Sequence, residues 1–171
     1  RINEGHIRSK AYSYFEKALA HSGGFDSTSH YLRLAIAEDS NYAEAYLQLG
    51  LIQYRNGQYK AAEPTLLRGL PLAYTDKLRK NFHYNLALVY TRLDWHDKSI
   101  QQFQQCLRID STDGDALYYL AKTYADKSDY ENAVSSYEIL SRRVPDYFVP
   151  DENDLHQAGI DQFSQAIGPS R

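Results

Sequence analysis

The sequence predicts an all-α solenoid built from successive pairs of helices, and three observations support this fold class. First, the pattern Leu86-Ala87-x-x-Tyr90 returns 34 residues later as Leu120-Ala121-x-x-Tyr124. Second, short turn signals divide each period into two halves. Third, residues typical of helix starts lie near the ends of the periods. A fixed period of this length is typical of solenoids, in which units stack because none buries its apolar face alone.

The period divides most of the chain into four repeats. Tyr46 lies 37 residues before His83, which indicates three inserted residues between the second and third repeats, whereas Tyr12 lies 34 residues before Tyr46. The predicted repeats are residues 9–42, 43–76, 80–113 and 114–147. Residues 1–8 form a lead-in. Residues 148–171 are predicted to form a helix that caps the last repeat; the alternative is the first helix of a truncated fifth repeat.

Each repeat is predicted to contain two helices joined by a tight turn, because turn-forming residues recur at the middle of the period. Glycine suits the left-handed residue that often ends a helix. The predicted turns are Gly23-Gly24, Asn56-Gly57, Leu93-Asp94 and Lys127-Ser128-Asp129. Asn41 and Thr112 are each followed by an acidic residue three positions later, which predicts that they cap the next helix.

The junction between the second and third repeats is irregular. Pro71 is predicted to end the preceding helix early, since proline lacks the N–H that a helix interior needs. We expect Thr75 to cap a following helix that begins about one turn early. That added turn carries three basic residues, either a small basic edge or simply a solvated helix end: Lys77, Arg79 and Lys80.

The repeated residues resemble the tetratricopeptide repeat, whose signature combines a bulky aromatic, a small residue and tyrosine with a second helix of alanine, aromatic and proline. The first repeat is degenerate, because Glu16 replaces the small residue and Thr28 replaces the alanine. The best match is the fourth repeat, through Leu117, Leu120, Ala121, Tyr124, Ala133, Tyr137 and Pro145. The resemblance implies a right-handed superhelix of stacked antiparallel helix pairs.

In this family the first helices of successive repeats line a concave groove, so the resemblance implies a set of ligand-facing residues. The set is rich in tyrosine, which offers a large contact area for little rotamer entropy. Its Lys and Arg residues would suit an acidic peptide or a C-terminal carboxylate; scattered basic residues are nevertheless common on helical proteins. The predicted contact residues are Tyr14, Lys17, Gln48, Leu51, Arg55, Tyr84, Asn85, Leu88, Arg92, Tyr118, Tyr119 and Lys122.

Some family members hold the C-terminus of heat-shock chaperones in a clamp of Lys, Asn and Arg side chains. Laid across the last three repeats, the clamp positions are matched here by Asn85 alone, so no chaperone clamp is expected. Asn85 either bonds the backbone of another ligand or is a solvated polar residue. The expected partner is another protein or peptide.

Composition and motifs argue against other functions. The formal net charge is −3, which favours neither nucleic acid nor an anionic membrane as partner. No apolar run approaches the roughly 18 residues of a membrane span, and no signal peptide is visible, so the compartment stays open. Since the chain begins at Arg1 and contains no Met, we expect an excised piece.

Catalysis by the chain itself is not expected. No phosphate-binding loop or nucleophile elbow appears, and the six histidines show no spacing that would bring two imidazoles to one metal. No cofactor or metal is therefore predicted, and Cys106 is predicted to be a core residue. Two alternatives to a peptide-binding module remain: a section of a larger scaffold, or the regulatory arm of an enzyme. Self-association through the solenoid ends is a further option.

Overall fold

The computed structural model describes residues 9–20 and 24–149. Within that range the chain is an all-α solenoid of consecutive helix pairs, as the sequence predicts. The helices are α1 (Ser9–Ala20), α2 (Gly24–Glu38), α3 (Ala43–Arg55), α4 (Tyr59–Gly69), α5 (Asp76–Arg92), α6 (His96–Ile109), α7 (Gly114–Asp126) and α8 (Tyr130–Arg143). The predicted lead-in and all but the first two residues of the predicted capping segment lie outside the described residues.

The chain divides into two compact bodies. The N-terminal body comprises Arg1–Leu93, with α1 to α5, and the C-terminal body comprises Asp94–Arg171, with α6 to α8. The boundary between the two bodies falls between Leu93 and Asp94, inside the predicted third repeat. The four repeat boundaries therefore remain a prediction from the sequence period.

The first helix pair packs despite its degenerate sequence. Glu16 is exposed, so it does not separate α1 from α2. Close approach relies on other small residues: Ala11, Ala18 and Ala35 are at most 2% exposed and share one apolar cluster with Leu32. In the next pair, a Cβ atom at Gly50 would lie 2.4 Å from Leu66 Cδ2, which shows why that position takes a small residue.

The irregular junction agrees with the sequence prediction. Helix α4 ends at Gly69, and Pro71 lies in a single 3-10 turn, Leu70–Leu72. The Thr75 hydroxyl then accepts a hydrogen bond from the Leu78 N–H at 3.1 Å, so Thr75 caps α5. Within the predicted basic edge, Arg79 forms an ion pair with Asp76 at the start of the same helix.

The two other predicted helix caps are wrong in detail. Asn41 does not cap α3, because the residue at the cap position is Tyr42, which makes no side-chain cap bond. The backbone N–H of Asn41 donates to Asp39 Oδ1 at 3.0 Å. Thr112 is misplaced by one residue, since the Asp113 carboxylate accepts the capping bond and Thr112 bonds to the preceding Asp110. In both places an earlier aspartate competes for the local N–H groups.

The turn predictions are confirmed where the structure describes them. Four residues have a positive φ angle: Gly24 at 81°, Gly57 at 73°, Asp94 at 58° and Ser128 at 64°. This is the left-handed conformation expected between the two helices of a pair.

The C-terminal body has its own buried apolar residues. Phe103 and Cys106 of α6 have no exposed surface, and Ala121 of α7 is equally buried. Cys106 is therefore a core residue, as predicted. Ser99 of α6 is also fully buried. No helix in the described ranges is long and apolar enough to cross a membrane.

Candidate functional site

The N-terminal body carries nine of the predicted contact residues, and all of them reach its surface. We call this set the N-terminal contact face. Six are half-buried, namely Tyr14, Gln48, Leu51, Tyr84, Asn85 and Leu88, and three are exposed, namely Lys17, Arg55 and Arg92. They lie on α1, α3 and α5, the first helices of their repeats.

Three residues of this face share one pocket with a volume of about 190 Å³. Gln48, Leu51 and Arg55 contribute from α3, and residues of α1 and α2 complete the lining. Five of its eight lining residues are aliphatic, including Leu19, which is 60% exposed at the surface. We call this cavity the aliphatic pocket; the other lining residues are Ala18, Thr28, Leu32 and Ile52.

The basic residues of the N-terminal contact face lie near the C-terminal ends of their helices. Lys17, Arg55 and Arg92 each lie in the last turn of their helix, where a cation also interacts favourably with the helix dipole. Arg92 donates a hydrogen bond from Nε to the Tyr54 hydroxyl at 3.2 Å. The Lys17 ammonium lies 5.6 Å from the centre of the Tyr14 ring. Arg92 and Lys17 are thus partly held in place by aromatic neighbours.

Asn85 uses its amide within its own helix. Its Nδ2 atom donates to the Asn81 carbonyl at 2.8 Å. The Asn85 side chain is half-buried on α5. Of the two interpretations of Asn85, a solvated polar residue or a ligand-binding amide, this bond favours a local structural role.

Tyr118 is not a surface residue, so its prediction as a contact residue is wrong. It is 1% exposed, and its ring centre lies 6.2 Å from that of Tyr137 and 5.9 Å from that of Tyr147. The chain after α8 returns to α7, where the Tyr147 hydroxyl donates to Asp115 Oδ1 at 2.6 Å. This returning segment covers Tyr118, which helical spacing alone could not indicate.

Tyr119 and Lys122, the other two predicted contact residues of the C-terminal body, are half-buried on α7. The Tyr119 ring is stacked on the buried ring of Phe103, with centres 6.2 Å apart and planes 10° from parallel. This stacking fixes the orientation of Tyr119, and it leaves part of the side chain accessible.

A second pocket in the N-terminal body was not predicted from the sequence. It has a volume of about 210 Å³ and lies at the N-terminal ends of α3 and α5. We call it the carboxylate pocket, after Glu44; its other lining residues are Tyr74, Thr75, Lys77, Leu78 and Asn81. The only sequence signal was the irregular junction between the second and third repeats, which contains Tyr74, Thr75, Lys77 and Leu78.

The described residues contain no cluster of His, Cys, Asp or Glu that could hold a metal ion. The structure consists of helix pairs whose first helices carry accessible side chains and border shallow pockets. These features are typical of one class of protein, the α-helical repeat modules that present a surface to other polypeptides.

Two family models described as tetratricopeptide repeat match the chain, one at residues 43–73 and 81–113 and the other at residues 115–147. Together they cover more than half of the sequence. The chain belongs to the tetratricopeptide repeat family, a fold that generally serves protein interaction without catalysis.

Several solved structures share the fold at low sequence identity. MamA is 19% identical with a TM-score of 0.77, over 93% of this chain and 84% of that one. Pseudomonas aeruginosa pilF is 19% identical with a TM-score of 0.75, and the match covers 93% of this chain and 69% of that one. YrrB, described as having an unusual peptide-binding site, is 18% identical with a TM-score of 0.71, and the match covers 91% of this chain and 78% of that one. A comparison with proteins of curated function finds no match.

Proposed function

We propose that the chain is a non-catalytic adaptor that binds a peptide segment of a partner protein on the N-terminal contact face. The observation that carries this proposal is the aliphatic pocket, where Gln48, Leu51 and Arg55 meet around one cavity. A cavity of about 190 Å³ accommodates one aliphatic side chain. Burying such a side chain contributes about 1.5–3 kcal/mol.

The polar groups around the aliphatic pocket suggest how a peptide is oriented. The Gln48 amide offers both a donor and an acceptor to a peptide backbone. Arg55 offers a fork of N–H donors suited to a carboxylate, and Lys17 and Arg92 add positive charge at the ends of neighbouring helices. The preferred ligand is therefore an aliphatic residue close to an acidic residue or a free C-terminal carboxylate.

Random-peptide display on the purified chain tests this proposal. We expect enriched peptides to combine an aliphatic residue with a nearby carboxylate. Leu51→Gln should weaken their binding roughly tenfold, since a lost aliphatic contact is worth about 1–2 kcal/mol. Arg55→Gln should weaken only those peptides that carry the carboxylate.

Lys60→Gln is the matched control, because Lys60 is exposed on α4, outside the contact face. It should bind selected peptides as the parent does. If Leu51→Gln remains folded by circular dichroism and binds every selected peptide with parental affinity, the aliphatic pocket is not the binding site. Tyr84→Ala and Tyr119→Ala then test the other predicted contacts, each within its own body.

A second candidate function is a section of a larger scaffold. The chain matches the APC/C hetero-tetramer Cut9-Hcn1 with a TM-score of 0.74 and 18% identity, over 88% of this chain but only 30% of that one. A fold of this size can thus be one part of a longer solenoid. Co-purification of the natural full-length protein with its partners, followed by deletion of residues 9–147, distinguishes a scaffold section from an independent adaptor.

A further inference from the structure

The carboxylate pocket differs in chemistry from the aliphatic pocket. None of its lining residues belongs to the N-terminal contact face, and it lies where α3 and α5 begin, whereas the basic residues of that face lie where α1, α3 and α5 end. One acidic side chain, Glu44, contributes to its lining.

The two oxygens of the Glu44 carboxylate have different surroundings. Oε1 accepts a hydrogen bond from the Tyr74 hydroxyl. Oε2 is buried and has no hydrogen-bond partner among the described residues. A buried carboxylate oxygen without a donor costs free energy, because it has lost water and gained nothing in exchange. The terminal torsion of glutamate is soft, so the carboxylate can turn Oε2 toward a donor that enters the pocket, which would remove this cost.

The electrostatic surroundings of Tyr42, two residues before Glu44, are phenolic and acidic. Burial raises the pKa of the Tyr42 hydroxyl, and Glu44, Tyr12, Tyr74 and Glu16 raise that pKa further. Tyrosine rings and carboxylates both attract cations. Of the lining residues, Lys77 is basic, and it is exposed at the surface.

We propose that the carboxylate pocket binds the ammonium or guanidinium group of a basic side chain on a partner polypeptide, with its N–H donors directed to the Glu44 carboxylate. The bond would be a charge-assisted hydrogen bond in a partly desolvated site, which is stronger than one between neutral groups. The pocket volume of about 210 Å³ holds the charged group and part of its aliphatic stem. Lys77 at the surface repels the incoming charge and limits the affinity.

Amide chemical shifts recorded during titration with short capped peptides test the proposal. Three peptides with one central residue each serve as probes: lysine, arginine, and the uncharged norleucine. We expect the lysine or the arginine peptide to shift the amides around Glu44 and Thr75, while the norleucine peptide does not. Glu44→Gln should weaken binding of the charged peptide roughly tenfold, because it removes the charge and keeps the shape.

Asp115→Asn is the matched control. Asp115 also lies at the second position of a first helix and also accepts a bond from a tyrosine hydroxyl, so this variant loses the same charge elsewhere. It should bind the charged peptide as the parent does. Arg55→Gln should likewise retain this binding, which separates the outcome from that of the proposed contact face.

Two results would overturn the proposal. One is parental affinity of Glu44→Gln for the charged peptides, and the other is equal binding of the norleucine peptide. Tyr74→Phe provides a second variant if Glu44→Gln unfolds. It removes the bond to Oε1 and leaves both carboxylate oxygens available, so the charged peptide should bind at least as tightly as it does to the parent; weaker binding counts against the proposal.

Discussion

Tyr74 donates a hydrogen bond to Glu44 in the N-terminal body, and Tyr147 donates one to Asp115 in the C-terminal body. Both acids are the second residue of a first helix, and both tyrosines come from the chain that follows the second helix of the same repeat. The bonds differ in what lies beside them. Next to Tyr74 there is a cavity that contains a buried carboxylate oxygen, whereas the ring of Tyr147 packs near the buried ring of Tyr118.

The first residue of the helix explains part of this difference. Gly114 begins α7, and a Cβ atom there would lie 2.4 Å from Tyr147 Cδ2, so the ring rests on the helix backbone. Ala43 begins α3, and its Cβ denies a tyrosine ring the same place. A single methyl group therefore helps to decide whether the tyrosine covers the helix start or leaves space beside it.

Alkaline unfolding should give the largest difference between the bodies, because burial is the main cause of a raised pKa for two tyrosines of the N-terminal body, Tyr42 and Tyr90, and for one of the C-terminal body, Tyr137. Burial, and then Glu63, raise the pKa of Tyr90 to about 12, and burial is also the main cause of the raised pKa of Tyr42. Because the unfolded chain releases these protons near pH 10, each tyrosine should reduce stability by about 1.4 kcal/mol per pH unit between pH 10 and 12. Stability is retained below pH 10 and lost as the pH rises.

In the C-terminal body the corresponding residue is Tyr137, whose pKa is raised mainly by burial. Amide hydrogen exchange resolved by residue, with rates corrected for pH, measures the two bodies separately. Tyr137→Phe should make α7 and α8 less sensitive to alkali and leave α3 and α5 unchanged. An unchanged alkaline profile of α7 and α8 in that variant contradicts the assignment.

Truncation of two tyrosines tests the burial of Tyr118. Tyr118→Ala should cost about 3–5 kcal/mol of unfolding free energy, as for other large buried aromatics. Tyr84→Ala, on the half-buried contact face, should cost much less, about 1 kcal/mol. Urea denaturation followed by circular dichroism measures both. Equal costs would mean that Tyr118 is not the core residue described above.

Removal of the tyrosine hydroxyls compares the two bonds directly. Tyr74→Phe should cost about 1.5–3 kcal/mol, since it leaves a carboxylate with a buried oxygen and no remaining donor. Tyr147→Phe should cost about 0.5–1.5 kcal/mol, because the exposed Asp115 can bond to water instead. Urea denaturation measures the loss of unfolding free energy in each variant. A larger loss for Tyr147→Phe than for Tyr74→Phe would contradict the proposed difference between the two bonds.

Exchange of the two helix-start residues should have the smallest effect. Gly114→Ala should displace the Tyr147 ring and cost about 1 kcal/mol, the lower end of overpacking costs, because the ring can move outward. Ala43→Gly should cost less than that, since it adds no clash and lies at the helix start. Crystal structures or aromatic NMR spectra show whether Tyr147 has moved; an unmoved ring would contradict the steric argument.

Local patterns in the sequence predicted the fold and many of its boundaries. The paired helices, the left-handed turns and the Thr75 cap each depend on residues close together in the chain. The prediction failed where a distant segment decides the outcome. Tyr118 lies 34 residues after Tyr84, which is half-buried, and the return of Tyr147 helps to make Tyr118 a core residue. The carboxylate pocket likewise joins Glu44 to Tyr74 across an irregular stretch that no helical period describes.

The carboxylate pocket also has a particular relation to the family pattern. Tyr74, Thr75, Lys77 and Leu78 lie between residues 73 and 81, the stretch that the matching repeat model leaves unmatched. The residues common to the family thus build the helices, and the unmatched junction, which includes the three inserted residues, supplies four of the six residues that line the pocket. Relatives whose second and third repeats follow without an insertion should therefore share the architecture and lack this pocket, so the length of that junction becomes a marker for the pocket that can be read directly from sequence.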